Sequence, residues 1–287
     1  SLVGSEMCIR DSVKGVSFFD KGPLAKMAVI AAGPLFNFIL AFVFSLVILS
    51  WAGIDPAVIA GTSEGMPAET AGLKEGDVIT KLDGRKIHLS REISMYLMTA
   101  GQDPVQVEYR RYDKTSSSWT TEHTVIQPEF KDGRYYLGVL LQGHRDAPES
   151  LVQVLQYSVY EVRYWILTVI DSLKMIVGGK VTTNDIAGPV RIVTIIDQTV
   201  EENTQYGFVT VVMNLLNLMV MFSANLGVMN LLPFPALDGG RLVFLFWELV
   251  TGHPVSQRIE GAVNMTGMAL LMTFMVFVVL NDLRILF

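Results

Sequence analysis

"GFVTVVMNLLNLMVMFSANLGVMNLLPFPAL", Gly207 to Leu237, carries no formal charge, and it is followed at once by a carboxylate, Asp238. About 20 apolar residues cross a hydrocarbon core of about 30 Å, so this run is longer than one straight span requires. Pro233 and Pro235 interrupt its end, because proline has no N–H to give to a helix. The stretch therefore reads as a membrane helix from Gly207 to about Leu231, followed by unwound chain that must line protein or water rather than lipid. A carboxylate at bilayer depth costs about 2.5–3.5 kcal/mol on insertion scales. Asp238 needs a reason to be there, and by itself it admits three: a helix cap, an ion pair with Arg241, or a solvated group at the membrane edge.

Two more uncharged runs lie on either side. "MAVIAAGPLFNFILAFVFSLVILSW", Met27 to Trp51, is long enough to cross, and "GAVNMTGMALLMTFMVFVVL", Gly261 to Leu280, is just long enough. Leu151 to Gly178 is apolar too, but Glu161, Arg163, Asp171 and Lys174 interrupt it, which favours an amphipathic helix at the membrane surface over a fourth span. Lys14, Lys21 and Lys26 precede the first span, while Arg241 and Arg258 lie between the last two, so the positive-inside rule puts both flanks in the cytoplasm. The segment between the first two spans, and the C-terminal "NDLRILF", then lie outside.

Composition agrees. Of 287 residues 51% are hydrophobic and only 17% charged, with mean hydropathy +0.40, more apolar than an ordinary soluble domain. The net charge of -6 and the lack of a long basic run leave no footprint for nucleic acid. Cys8 is the only cysteine, which rules out an internal disulfide or a cysteine-based zinc site. "SLVGSEMCIRDS", residues 1–12, lacks both the pattern of a signal peptide and an initiator Met, and is expected to be non-native read-through, with a native polar tail as the alternative.

The outer segment is expected to hold a small, mostly β domain. Short β-rich runs such as Val58–Ala60 and Val78–Leu82 alternate with Gly, Pro and Asp-Gly turns, and "VQVEYRRY", "EHTVIQ" and "YYLGVLL" continue the pattern. "SREISMYLMTA", Ser90 to Ala100, reads as a helix with Ser90 as N-cap. "PAETAGLKEGDVITKLDGRKI", Pro67 to Ile87, resembles the recurrent core of bacterial PDZ domains. That resemblance implies capture of an extended peptide by strand addition, with the peptide's carboxylate held by backbone N–H groups. Tyr136, Leu137, Gly138 and Val139 look like the carboxylate-binding loop, although Leu137 and Val139 equally fit ordinary core positions.

"NLLPFPALDGG" resembles the N-x-x-P-x-x-x-L-D-G motif of the site-2 protease family of intramembrane zinc metalloproteases. "AAGPLFNF", Ala31 to Phe38, resembles the family's G-P-x-x-N helix, and "NDIAGPVRI", Asn184 to Ile192, its Gly-Pro segment. All three stand in family order, with the PDZ domain where members of the sigma-E regulator type carry theirs. The resemblance implies a multi-pass α-helical membrane protein with an inserted, mostly β PDZ-like domain, placed in the cytoplasmic (inner) membrane with the PDZ domain outside. In that family zinc is held by two His of an H-E-x-x-H helix and by the Asp of L-D-G, here Asp238. Two His at i and i+4 share one helical face, a third ligand leaves a position open for water, and the motif Glu serves as general base. Gly239 and Gly240 are expected to allow a tight turn. Asn230, Asn37 and Pro233 are expected at the substrate-binding cavity. The implied substrates are membrane-anchored proteins, such as a shortened anti-sigma factor or a signal-peptide remnant.

The sequence departs from that family at one point. Its histidines are His88, His123, His144 and His253, and none belongs to an H-E-x-x-H. The motif is expected upstream of Val13 in a longer protein, so these 287 residues should be inactive by themselves. His253 reads as a loop residue. Asn214, Asn217 and Asn225 fall within an arc of about 80° at about 100° per residue, a polar stripe that serves for helix–helix hydrogen bonding.

The resulting division is 1–12 read-through, 13–26 cytoplasmic flank, 27–52 span, 53–142 PDZ-like domain, 143–206 surface helix and linker, 207–232 span, 233–260 L-D-G motif and cytoplasmic loop, and 261–281 span. Two rivals remain. One is a non-catalytic scaffold whose PDZ domain recruits peptide tails. The other is a transporter or channel binding an ion at the broken helix, which the span count and the lack of inverted repeats disfavour.

Overall fold

The computed structural model describes residues 21–179 and 187–286. Residues 1–12 and the Asn184–Asp185–Ile186 part of the Gly-Pro segment lie outside them. The chain divides into two compact units: Ser1–Ala41 with Thr182–Val211 and Met221–Phe287, and Phe42–Val181 with Val212–Val220.

Among the described residues, three helices are long and apolar enough to cross a membrane, and they coincide with the three uncharged runs. They are α1 (Pro23–Ala52), α6 (Phe208–Leu231) and α8 (Gln257–Leu286). At about 1.5 Å per residue each reaches the thickness of a hydrocarbon core. α6 stops where the prolines require it, and Leu232 turns to extended geometry with ψ 139°. The chain is a multi-pass α-helical membrane protein with an inserted β domain.

That domain contains β1 (Ile59–Thr62), a one-turn α2 (Pro67–Thr70), β2 (Val78–Leu82), β3 (Arg85–Lys86), α3 (Ser90–Ala100), β4 (Val105–Asp113), β5 (Ser118–Ile126), β6 (Glu129–Lys131), β7 (Arg134–Tyr136) and β8 (Val139–Leu141). β3, β2, β4 and β5 form one antiparallel sheet in that order, β1 pairs with β8, and β6 pairs with β7. Val105, Val107 and Tyr109 alternate inward along β4, as a half-buried strand requires, and join Ile59, Ile79, Leu82, Ile93, Ile126 and Leu137 in the core. The Gly76-Asp77 pair has a physical role: Gly76 takes φ +87°, and the buried Asp77 carboxylate accepts Lys74 N–H and a two-pronged bond from Arg111 at 2.8 and 2.6 Å.

Two local expectations change. Ser90 is the first helical residue and not the N-cap; its hydroxyl donates to Asp55 at 2.5 Å. The cap is supplied by Glu92, whose carboxylate accepts the N–H groups of His88 and Leu89 at 2.5 and 3.2 Å. The stretch 233–260, expected as motif and loop, instead contains a helix, α7 (Asp238–Thr251), closed by Gly252 in the left-handed region. "RLVFLFWELV" is too short to announce itself as a span, but its Leu, Arg and Glu residues favour a helix, and the glycine C-cap ends it.

Along the chain, two helices follow the β domain before α6: α4 (Leu151–Val177) and α5 (Pro189–Thr204). The charges that interrupt α4 are all paired. Glu161 pairs with Arg91, Arg163 with Glu92 at 2.6 Å, and Asp171 with Arg85 at 2.5 Å and Lys174 at 3.2 Å. Three of these partners belong to the β domain, so α4 turns its charged face inward while Leu151, Val152, Leu155 and Val159 stay exposed. Burial pushes the Glu161 carboxyl up, against the opposing pull of Arg91.

Candidate active site

The site begins where α6 ends. Past Leu231 the chain makes a compact turn in which Phe234 N–H donates to Leu232 O at 2.7 Å and Leu237 N–H donates to Phe234 O at 3.2 Å. Ala236 sits at φ +75°, a region L residues avoid, and α7 then starts at Asp238. Gly239 and Gly240 are required for a reason other than the expected one. Both are helical, without positive φ, but a Cβ on Gly239 would stand 2.2 Å from Leu232 O, and one on Gly240 would stand 2.4 Å from Phe234 O. The glycines let the new helix press against the carbonyls that end the old one.

This packing presents the Asp238 side chain in the first turn of α7, half-buried. Among the described residues it makes no ion pair and no side-chain hydrogen bond, so neither the Arg241 pair nor a capping role accounts for it. Gly33 of α1 lies close to it: an added Cβ there would stand 3.6 Å from Asp238 Oδ2. The Gly-Pro helix and the L-D-G turn, far apart in sequence, thus meet at the carboxylate.

The other expected residues lie on the same elements. Asn37 lies one turn beyond Gly33 on α1, and its neighbour Phe38 packs so closely on Gly227 of α6 that a Cβ there would come within 2.6 Å of the ring. Asn230 lies three residues past Gly227, and Pro233 opens the turn. Among the described residues, neither Asn37 nor Asn230 makes a side-chain hydrogen bond. His253 follows α7 in an exposed loop, with Nδ1 2.9 Å from Thr251 O. No three His, Cys, Asp or Glu side chains cluster as metal ligands among the described residues.

In the β domain the core reading of the Tyr136 to Val139 stretch holds for Leu137. Leu137 is a core residue, only 1% exposed. Its carbonyl accepts Ala68 N–H at 2.8 Å, and that of Gly138 accepts Ser63 N–H at 2.8 Å. The N–H groups of Leu137 and Gly138 have no acceptor among the described residues. Gly138, at φ +84°, admits no other residue, since a Cβ would strike Met66 at 2.2 Å.

Two contacts carried no clear sign in the sequence. The Gly188-Pro189 pair opens α5, and the carboxylate of Asp282, fully buried on α8, accepts the N–H groups of Gly188 and Arg191 at 3.1 Å each. Asn264, also on α8, accepts Ala236 N–H at 3.2 Å. The one available signal was a polar residue within or closing an apolar run.

Residues 7–274 match the family described as Peptidase family M50. The chain belongs to that family. Among curated relatives it is 37% identical over 273 residues to "Zinc metalloprotease RasP" of Shouchella clausii, covering 94% of this chain and 62% of that one. It is 31% identical over 274 residues to "Regulator of sigma-W protease RasP" of Bacillus subtilis, covering 94% and 61% respectively. The chain thus spans less than two thirds of the length of these relatives. Among solved structures, the PDZ domain of an SdrC-like protein from Listeria innocua matches 32% of this chain and 98% of its own length, at 27% identity and a TM-score of 0.26.

Proposed function

We propose that the chain supplies the Asp238 half of an intramembrane zinc metalloprotease that hydrolyses peptide bonds in transmembrane segments of membrane-anchored proteins. The observation that carries this reading is the Asp238 carboxylate: half-buried, unpartnered among the described residues, and set beside the space left by Gly33. A carboxylate oxygen is an ordinary zinc donor, so the group fits as one ligand. One carboxylate cannot hold the ion stably, and no H-E-x-x-H occurs in the 287 residues. In the family the remaining ligands and the general base come from that motif.

Bound zinc supplies polarisation of the scissile carbonyl and a water of lowered pKa. The chain's own residues handle the substrate backbone. A helical substrate hides its carbonyls in hydrogen bonds and must be opened first. The unpartnered amides of Asn37 and Asn230 then bond to the exposed strand, while Pro233 keeps the neighbouring backbone free of helix. The free N–H groups of Leu137 and Gly138 donate to the terminal carboxylate of a peptide added along β8, so the PDZ domain sorts substrates that already carry a new C-terminus. The likeness to a relative named for sigma-W regulation points to a shortened anti-sigma factor as substrate, with a signal-peptide remnant as the other class. Lys21, Lys26, Arg241 and Arg258 set the orientation, with the PDZ domain outside the cytoplasmic membrane.

Loss of H-E-x-x-H from the gene itself would favour one rival, a PDZ-bearing scaffold without catalysis. Sequencing the source DNA upstream of Val13 and measuring zinc in the recovered protein separates the two. The expected result is an apolar segment with H-E-x-x-H and one zinc per chain, with zinc lost in Asp238→Asn. An upstream span without the motif leaves the scaffold.

A further inference from the structure

We propose that Asn264 and Gly267, three residues apart on one face of α8, position Asp238 by clamping the turn that presents it. The proposal rests on the reading of Asp238 as the metal-holding carboxylate. The turn from Leu232 to Leu237 has little to hold it: its internal bonds are two local N–H to carbonyl contacts, and Ala236 occupies an unfavourable left-handed conformation. A strained conformation persists only where its surroundings impose it. Here α8 imposes it through two contacts. Asn264 Oδ1 accepts the Ala236 N–H at 3.2 Å, the one hydrogen bond to the turn from a distant side chain among the described residues. Gly267, buried, lets Pro235 lie directly on the helix, since a Cβ there would stand 2.6 Å from Pro235 O and 2.4 Å from its Cβ. The two contacts fix consecutive residues, and Asp238 follows two positions later. The third span thus acts on the site through the turn.

The test reads the position of residue 238 without metal or activity. In a Cys8→Ser background, Gly33→Cys and Asp238→Cys place two thiols where the Gly33 Cβ position and the Asp238 side chain now meet. The rate of disulfide formation under copper phenanthroline is then measured for the detergent-solubilised chain. Asn264→Leu and Asn264→Asp are close in size, but only Asp keeps an acceptor oxygen, in either protonation state. The expected result is about a tenfold slower cross-link in Asn264→Leu and a rate within about twofold of the parent in Asn264→Asp. An unchanged rate in Asn264→Leu overturns the proposal. Equal slowing in both variants, or loss of the unfolding transition in Asn264→Leu, makes Asn264 a packing residue and overturns it as well. Failure here leaves the zinc reading intact, since the zinc measurement above is independent of it.

Discussion

His88 shows how a single side chain is set by its surroundings. Its ring lies flat on Tyr160 of α4, 3.8 Å between centroids and 2° from parallel. Burial there lowers its pKa from the usual 6.5; Glu92 opposes the shift, and Arg163 and Lys86 add to it. The folded protein therefore prefers the neutral ring. Stability from this group is fully present above about pH 6.5 and is lost as pH falls through the depressed folded value, because the unfolded chain takes up the proton first. A thermal midpoint measured against pH should decline on the acid side, and His88→Phe, which keeps the stack, should flatten that decline. An unchanged slope would show that His88 contributes nothing to the acid limb.

At the level of elements, α4 is tied to the β domain through its contact with α3. Glu92 is fully buried, caps α3 and receives Arg163. Removing Arg163 would strand that carboxylate without its ion partner, and breaking a buried pair from one side costs about 3 kcal/mol or more. Lys174, with its side chain 71% exposed, sits in a solvated pair with Asp171, and such pairs contribute about 0–1 kcal/mol. Arg163→Leu should therefore lower the unfolding midpoint clearly and Lys174→Ala hardly at all, as followed by thermal unfolding in detergent. Equal effects would mean that α4 is held by its apolar contacts alone. Four charges in an apolar run argue against insertion whatever they bind. What sequence could not show is that their partners include Arg91, Glu92 and Arg85, brought to α4 by the fold of the β domain.

On the scale of the whole molecule, the three spans and the proposed cytoplasmic lysines and arginines make an orientation that can be checked directly. Alkaline phosphatase, active only outside the cytoplasm, should be active when fused after Lys131 and inactive when fused after His253. The reverse pattern would invert the topology and place the PDZ domain with the cytoplasmic partners. The spans themselves were legible because lipid offers no hydrogen bonds, so about 20 uncharged residues announce a crossing without reference to any neighbour. α7 was not legible in the same way, being too short for a crossing and apolar enough to pass as the tail of one.

The sequence by itself determined the three spans, the β domain with its Gly76-Asp77 turn and Ser90–Ala100 helix, and the family motifs around Asp238. Each of these follows from local pattern: charge-free length, period-two alternation, and residue types at fixed spacing. Only the tertiary structure decided that Gly239 and Gly240 serve close approach rather than turning. It also decided that Glu92 caps α3 in place of Ser90, that Asp282 holds the Gly188-Pro189 start of α5, and that Asn264 reaches Ala236. Most of those facts depend on which atoms meet across long stretches of chain. A pattern read along the sequence carries the propensity of each element, but the contact that makes a glycine or a buried carboxylate necessary exists only once the elements have packed.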